Sequence, residues 1–238
     1  MSKQHKERVT CLKCGEVNEF VIWDTIDSKS NPEAKKQVLS GEIFLFKCPK
    51  CGAIMQANND CFYHQVEGKI MIHLLHSEKD ANDVNIALKA IDKFADKLTN
   101  ADKISDLQIP LPGYTFRIVR DHNQLREKVY IFNQGLDDRV IEIMKCIFIT
   151  KVLDEVDARI VPELLLDIND GVPEYFIVIL HILKDGKWTP ANTQKIPFDR
   201  ELYDDIKADM IDPNDDGKKI YFVNYEWALN YLKNHIPQ

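Results

Sequence analysis

Apolar residues in the first third of the chain fall into short runs divided by glycine- and proline-marked turns. Val9-Thr10 leads into Cys11-Leu12-Lys13-Cys14-Gly15, and Glu19-Phe20-Val21-Ile22-Trp23 follows as a β-prone run. Ser30-Asn31-Pro32-Glu33 marks a helix start with proline in its first turn. Ala34, Val38 and Leu39 give this helix a small apolar side and Gly41 closes it, so the pattern predicts a helix over 31–40. Ile43-Phe44-Leu45-Phe46 reads as a strand running into Cys48-Pro49-Lys50-Cys51-Gly52. Further strands are expected at Cys61-Phe62-Tyr63 and over Ile70 to Leu75, parted by a turn at Glu67-Gly68.

The rest of the chain mixes the two periods. Polar residues from Ser77 to Asn82 mark a boundary, after which Val84, Leu88, Ile91, Ala95 and Leu98 follow helical spacing. Ile109-Pro110-Leu111-Pro112-Gly113 breaks the chain, and Tyr114, Phe116 and Ile118 alternate as on a strand. Asn123 is placed to cap a helix through Leu125, Val129 and Phe132 that ends at Gly135, and Asp137 to cap the next, through Val140, Met144 and Ile147. Leu164 to Ile168 and Tyr175 to Leu183 read as strands, with a hairpin turn at Asp185-Gly186 before Trp188. Pro197-Phe198-Asp199 starts a helix through Leu202, Ile206 and Met210. A short strand is expected at Ile220 to Val223, and Asn224 caps a closing helix with Trp227 and Leu232. The expectation is an α+β protein. A zinc-ribbon-like β domain with a helical insert occupies residues 1–78, and a larger α+β domain residues 79–238, with a break near 104–113.

Composition narrows the class. Hydrophobic residues are 45% and charged residues 29% of 238, the balance of a folded chain rather than a disordered one. No run of 18 apolar residues occurs, and the start, MSKQHKERVT, has no apolar core of a secretory signal, so a cytoplasmic protein is expected. Net charge is −7. Residues 1–78 hold 10 Lys/Arg and 10 Asp/Glu, and the remainder holds 21 and 28, so the excess acid lies beyond residue 78. Neither part is the strongly basic body that neutralises many phosphates.

The cysteines carry the chemistry. In a reducing compartment six cysteines are not read as three disulfides. Four of them form two Cys-x-x-Cys pairs, Cys11 with Cys14 and Cys48 with Cys51, each followed by glycine. A tight turn aims two sulfurs at one point, and the glycine lets backbone amides approach the thiolates. Two such turns face to face supply a tetrahedral four-sulfur site suited to structural Zn²⁺. Thirty-three residues separate Cys14 from Cys48, more than the about 15–20 of the common spacing, and the helix over 31–40 occupies the excess. Iron held as in rubredoxin uses the same donors. A thioredoxin-like redox pair needs a strand-to-helix turn that neither pair has. Catalytic zinc keeps an open position, which four thiolates close.

Other candidates have simpler readings. Cys61-x-x-His64 has ligand-like spacing but reads as a strand cysteine and a packed or surface histidine. His73 and His76 read as satisfied edge residues, Cys146 as core, and Asp137-Asp138-Arg139 with Glu142 as helix capping. Asp212 to Gly217 resembles part of a calcium loop but has Val223 where the closing glutamate belongs. No phosphate-loop, dinucleotide, nucleophile-elbow or zinc-protease motif occurs, so nothing in the sequence points to an enzyme.

At the cysteine pairs the chain resembles a known family. Thr10 to Gly15, Phe20 to Asp24, Phe46 to Gly52 and Tyr63-His64 look like the CpXC protein family of bacteria and archaea, named for two Cys-Pro-x-Cys motifs. The resemblance covers roughly residues 9–76, and Leu111 to Arg120 and Gly135 to Glu142 resemble its longer members. It implies a zinc-ribbon-like domain in a prokaryotic cytoplasm and no activity. Leu12 stands where the first motif has proline, which supplies no ligand. The leading expectation is an adaptor that binds a protein partner or self-associates, with Phe20, Trp23, Phe62 and Tyr63 as candidate contact residues. The alternative is a nucleic-acid-associated ribbon, whose basic cluster would be Lys29, Lys35, Lys36, Lys47 and Lys50.

Overall fold

A computed structural model of the chain describes residues 2–76, 114–155, 160–169, 172–184, 187–210 and 222–235. Among them lie five α-helices and three sheets, an α+β architecture in two compact units, Met1–Val129 and Tyr130–Gln238. The expected boundary after residue 78, the helix through Val84 and Leu98, the break at 104–113, the Asp185-Gly186 turn and the acidic turn at 212–217 fall outside the described residues.

The first unit is built on a mixed sheet of order β1-β2-β5-β6-β7. β1 (Lys3–Thr10) and β2 (Val17–Asp27) form an antiparallel hairpin, and β2 lies parallel to β5 (Cys61–Gln65). β5 and β6 (Ile70–Leu74) are antiparallel, and β6 and β7 (Thr115–Val119) parallel. Parallel neighbours need a crossover. The one between β2 and β5 holds α1 (Pro32–Ser40), a 3-10 turn (Glu42–Phe44) and a separate hairpin of β3 (Leu45–Lys47) and β4 (Ile54–Gln56).

Local chemistry accounts for most of these elements. Pro32 opens α1, Ala34 and Val38 bury its small apolar side, and Gly41 at φ 79° ends it. Arg126 Nε donates to the Leu39 carbonyl at 3.0 Å, satisfying one of the last free acceptors of that helix. The expected strand at Ile43 to Phe46 is half right. Glu42–Phe44 coil into the 3-10 turn that follows Gly41, with Ile43 and Phe44 buried, and the strand begins only at Leu45. Tyr63, Ile72 and Leu74 form the fully buried centre of the sheet.

α2 (His122–Asn133) crosses from the first unit into the second. Its cap is Asp121, whose Oδ1 accepts from the Gln124 N–H at 2.8 Å; Asn123, the residue expected there, lies inside the helix. α3 (Asp138–Glu155) is capped as expected by Asp137, which accepts from the Arg139 N–H at 2.9 Å. The second unit also contains an antiparallel sheet of β8 (Ile160–Asn169), β9 (Val172–Lys184) and β10 (Lys187–Pro197), with β9 central. α4 (Arg200–Asp209) and α5 (Tyr225–His235) follow, capped by Asp199 and Asn224. Phe148 meets Phe176 edge-on at 5.2 Å, and Ile143 and Cys146 of α3 pack on Ala228 of α5. The residues at Phe222-Val223 are not a strand. Among the described residues no helix is long and apolar enough to cross a membrane.

Candidate metal centre

Each cysteine pair occupies the turn of a β-hairpin, and the two turns are built alike. In the first, β1 and β2 pair up to Thr10 opposite Val17. Cys11 N–H donates to the Glu16 carbonyl at 2.8 Å, and Gly15 N–H to the Cys11 carbonyl at 2.8 Å. In the second, β3 and β4 pair up to Lys47 opposite Ile54. Cys48 N–H donates to the Ala53 carbonyl at 2.8 Å, and Gly52 N–H to the Cys48 carbonyl at 2.9 Å. Gly15 and Gly52 have φ of 73° and 70°, left-handed values that a side chain resists. A Cβ at either would meet nothing within 4 Å, so the backbone angle and not space requires glycine.

The turns bring four sulfurs together. Cys11 Sγ lies 3.6 Å from Cys51 Sγ and Cys14 Sγ 3.7 Å from Cys48 Sγ, and all four fall within 4.8 Å of one another. Metal–sulfur bonds of about 2.3 Å in a regular tetrahedron put the sulfurs about 3.8 Å apart. These two separations are already close to the edge length that one ion requires. All six cysteines are free thiols. The cluster could hold a metal ion through Cys11, Cys14, Cys48 and Cys51.

Its electrostatics point the same way. Cys11 is lowered to about 6, first by the Cys14 backbone N–H and also by that of Lys13 and by the neighbouring thiols, against its burial. For Cys14 the Glu16 N–H acts downward, but burial and the thiols of Cys51, Cys11 and Cys48 outweigh it and push the group up to about 12. One thiolate forms readily and the next resists sharing the space, a resistance that a bound cation removes. Cys11 and Cys48 are buried with Phe46, and Val9, Phe20, Ala53 and Met55 pack around them. Phe20 meets Phe46 at 5.6 Å and 71°, and Leu12 N–H points at Met55 Sδ at 3.3 Å, joining one hairpin to the other. Lys50 and Glu16 pair across the hairpins at 2.7 Å, an exposed contact worth about 0–1 kcal/mol.

A family model described as CpXC protein matches residues 9–145, more than half of the chain and all of this cluster. The chain belongs to the CpXC protein family. No curated protein and no solved structure matches it. In this CpXC protein the two motifs differ at their second position, Leu12 in the first turn against Pro49 in the second, and both residues are exposed.

The remaining candidates fall elsewhere. Cys61 and His64 are three residues apart on β5, so they point to opposite faces and cannot share an ion. His64 instead joins a buried polar chain that sequence reasoning did not find. Its Nδ1 lies 3.0 Å from Asp27 Oδ2, and its Nε2 lies 3.3 Å from the Tyr114 hydroxyl. Burial lowers the His64 pKa more than Asp27 raises it. Burial acts upward on Asp27, yet the Ser30 N–H and side chain, with nearby positive charge, hold its carboxyl below the usual range. At neutral pH the contact is thus a hydrogen bond from neutral imidazole to carboxylate. Asp27 and His64 face each other in the parallel register of β2 and β5, a pairing with no local signal.

His73 lies tilted against Phe62 with ring centroids 5.7 Å apart, and His76 N–H donates to Asp60 at 3.1 Å. Cys146 is core, and Glu142 pairs with Lys145 at 3.3 Å within α3. A groove of about 550 Å³ is lined by His5, Glu7, Asp24, Asp60 and His76 among others. Among the described residues no second group of three His, Cys, Asp or Glu side chains converges as the cysteines do. Nor are the four aromatics named as contact residues exposed: Tyr63 is fully buried, and Phe20, Trp23 and Phe62 are half-buried.

Proposed function

We propose that this CpXC protein is a cytoplasmic protein-interaction module whose N-terminal unit is a zinc-ribbon-like platform held by structural Zn²⁺ at Cys11, Cys14, Cys48 and Cys51. The observation that carries this reading is the pair of equivalent hairpin turns whose sulfurs approach to 3.6 and 3.7 Å. Four thiolates favour zinc, and they complete its coordination, which suits a role in architecture rather than in turnover. Ribbon turns held this way present short, rigid surfaces, and rigidity lowers the cost of binding a partner.

The test is elemental analysis of the purified protein together with chelation. One zinc per chain, lost with the order of residues 9–57 on chelation and regained on adding zinc, supports the proposal. Protein free of zinc that keeps both hairpins ordered overturns it.

A further inference from the structure

The face of the β1–β2 hairpin that brings Val9 and Phe20 to the sulfurs continues into the groove of about 550 Å³. The register sets Glu7 opposite Phe20 and His5 opposite Ile22, and Glu7, His5 and Ile22 all line that groove. Lys6 and Glu19 pair on the other face of the hairpin at 2.9 Å. Between Lys3 and Gln4 the register shifts, and Asp24 is the extra residue of the bulge. A bulge re-aims a side chain. Here the Asp24 carboxylate also lines the groove and meets His5 Nδ1 at 3.0 Å. Asn59 and Asp60, ahead of β5, and His76, after β6, complete a space of the size of small-ligand sites, about 300–1,000 Å³.

The lining has one sign of charge. Glu7, Asp24 and Asp60 bring three carboxylates, and no lysine or arginine is among the lining residues. Glu7 has no ion-pair partner among the described residues. Donors that border the groove are already committed: His76 N–H to Asp60 Oδ1 at 3.1 Å, and Asn59 Nδ2 to the Trp23 and Asp60 carbonyls at 3.3 and 3.1 Å. The Asn59 amide oxygen is thereby left as a further acceptor. The same field reaches inward, where burial and then the charges of Asp24 and Asp60 push the Cys61 thiol up to about 12. Ile22, 5% exposed, supplies an apolar surface between the acceptors. Carboxylates beside an apolar floor suit a cation that carries N–H donors on an aliphatic stem. A bare metal ion suits them less, because among the described residues no three of these groups converge as the cysteines do.

We infer that this groove binds an organic cation, an ammonium or guanidinium group on an aliphatic stem, with Glu7, Asp24 and Asp60 as its counter-charges and Ile22 against the stem. Such a group arrives either as a free amine or as a lysine or arginine side chain of another protein. The chemistry recognised is the same, and the ligands tested separate the two sources. The site uses none of the four sulfurs and does not rest on the reading of the metal centre.

The test is calorimetric titration of the full chain as purified with spermidine, agmatine and N-acetylarginine methylamide, with amide NMR shifts to locate the site. Expected is saturable binding tighter than about 10 mM, with the largest shifts at residues 5–7, 22–24, 58–60 and 76. Glu7→Gln/Asp24→Asn should weaken it about tenfold at an unchanged melting temperature, more at low salt than at high. Glu19→Gln/Glu33→Gln removes as much negative charge outside the groove and should change binding by less than about twofold, which separates the site from attraction to an acidic chain. Binding of the capped arginine at least as tight as that of the amines supports the site with a protein side chain as its ligand, and tighter binding of the amines supports it with a free amine. No saturable binding, equal weakening by the two double variants, shifts confined to other residues, or tighter binding of Mg²⁺ than of every organic cation would overturn the inference.

Discussion

Replacing Cys48 with serine removes one of the four sulfurs, and its cost can be worked from what surrounds them. Phe46 is the one large side chain fully buried beside the cysteines, with Val9, Phe20 and Met55 partly buried against it, so apolar burial contributes about 6 kcal/mol there. Holding the ten turn residues, 11–15 and 48–52, in single conformations opposes this by about 10–20 kcal/mol. The shortfall of roughly 10 kcal/mol is the size of what structural zinc contributes in small modules, about 10–16 kcal/mol. With the metal the hairpins are therefore stable by a small margin, and without it they are not. The centre of the sheet, with Tyr63, Ile72 and Leu74 fully buried, does not depend on the sulfurs. Hydrogen exchange read by mass spectrometry should show residues 9–21 and 44–57 of Cys48→Ser exchanging on the order of a thousandfold faster, a loss of about 4 kcal/mol or more. β5 and β6 should remain protected. Cys61→Ser, a buried cysteine outside the cluster, should keep its metal and its hairpin protection. A Cys48→Ser variant with full metal content and slow hairpin exchange would refute the reasoning.

Three further outcomes follow from the same geometry. Gly52→Ala should cost about 1–2 kcal/mol through the left-handed angle alone, read as weaker zinc retention against a competing chelator, whereas Ala53→Gly should not weaken it comparably. Burial, and then the electrostatic interaction with the neighbouring His76, lower His122 to about 4. Its folded value lies below the unfolded one of about 6.5, so the unfolded chain binds more protons as the pH falls through that window. Stability should therefore drop from about pH 6.5 to pH 4, by roughly 2 kcal/mol after solvent screening. His122→Phe, which keeps a ring against Phe44, should flatten that acid branch in urea titrations. Asp27→Ala leaves the Ser30 N–H and His64 Nδ1 without their acceptor and should lower stability by about 2–3 kcal/mol in a urea midpoint measurement at neutral pH.

The parts legible in the sequence were those with local causes. Two Cys-x-x-Cys-Gly turns announce the sulfur cluster because the spacing itself makes the turn, and Pro32 and Gly41 bracket α1 for the same reason. Asp137 and Asn224 were readable as caps, and Pro197 to Asp199 as a helix start, because such signals act within about three residues. Asn123 misled because Asp121, two residues earlier, offers an equally suitable oxygen, and only the position of the first turn decides between them. β1 gave little warning, since Lys3 to Arg8 form an exposed edge with no apolar alternation. The Asp27–His64–Tyr114 chain was hidden because its members are brought together by strand pairings spanning many residues. Phe20, Trp23, Phe62 and Tyr63 were expected as contact residues, but the packing around the sulfurs draws Phe20 inward and leaves Val17 and Ile54 outside.

The second cysteine turn is not part of the main sheet; it hangs in the excursion that carries the chain from β2 to its parallel neighbour β5. An ion gripping both turns would therefore act as a clasp on that excursion, fastening the detour back to the strand it departed from. Loss of that ion would then slacken this stretch while the strand order of the sheet beneath it stays the same.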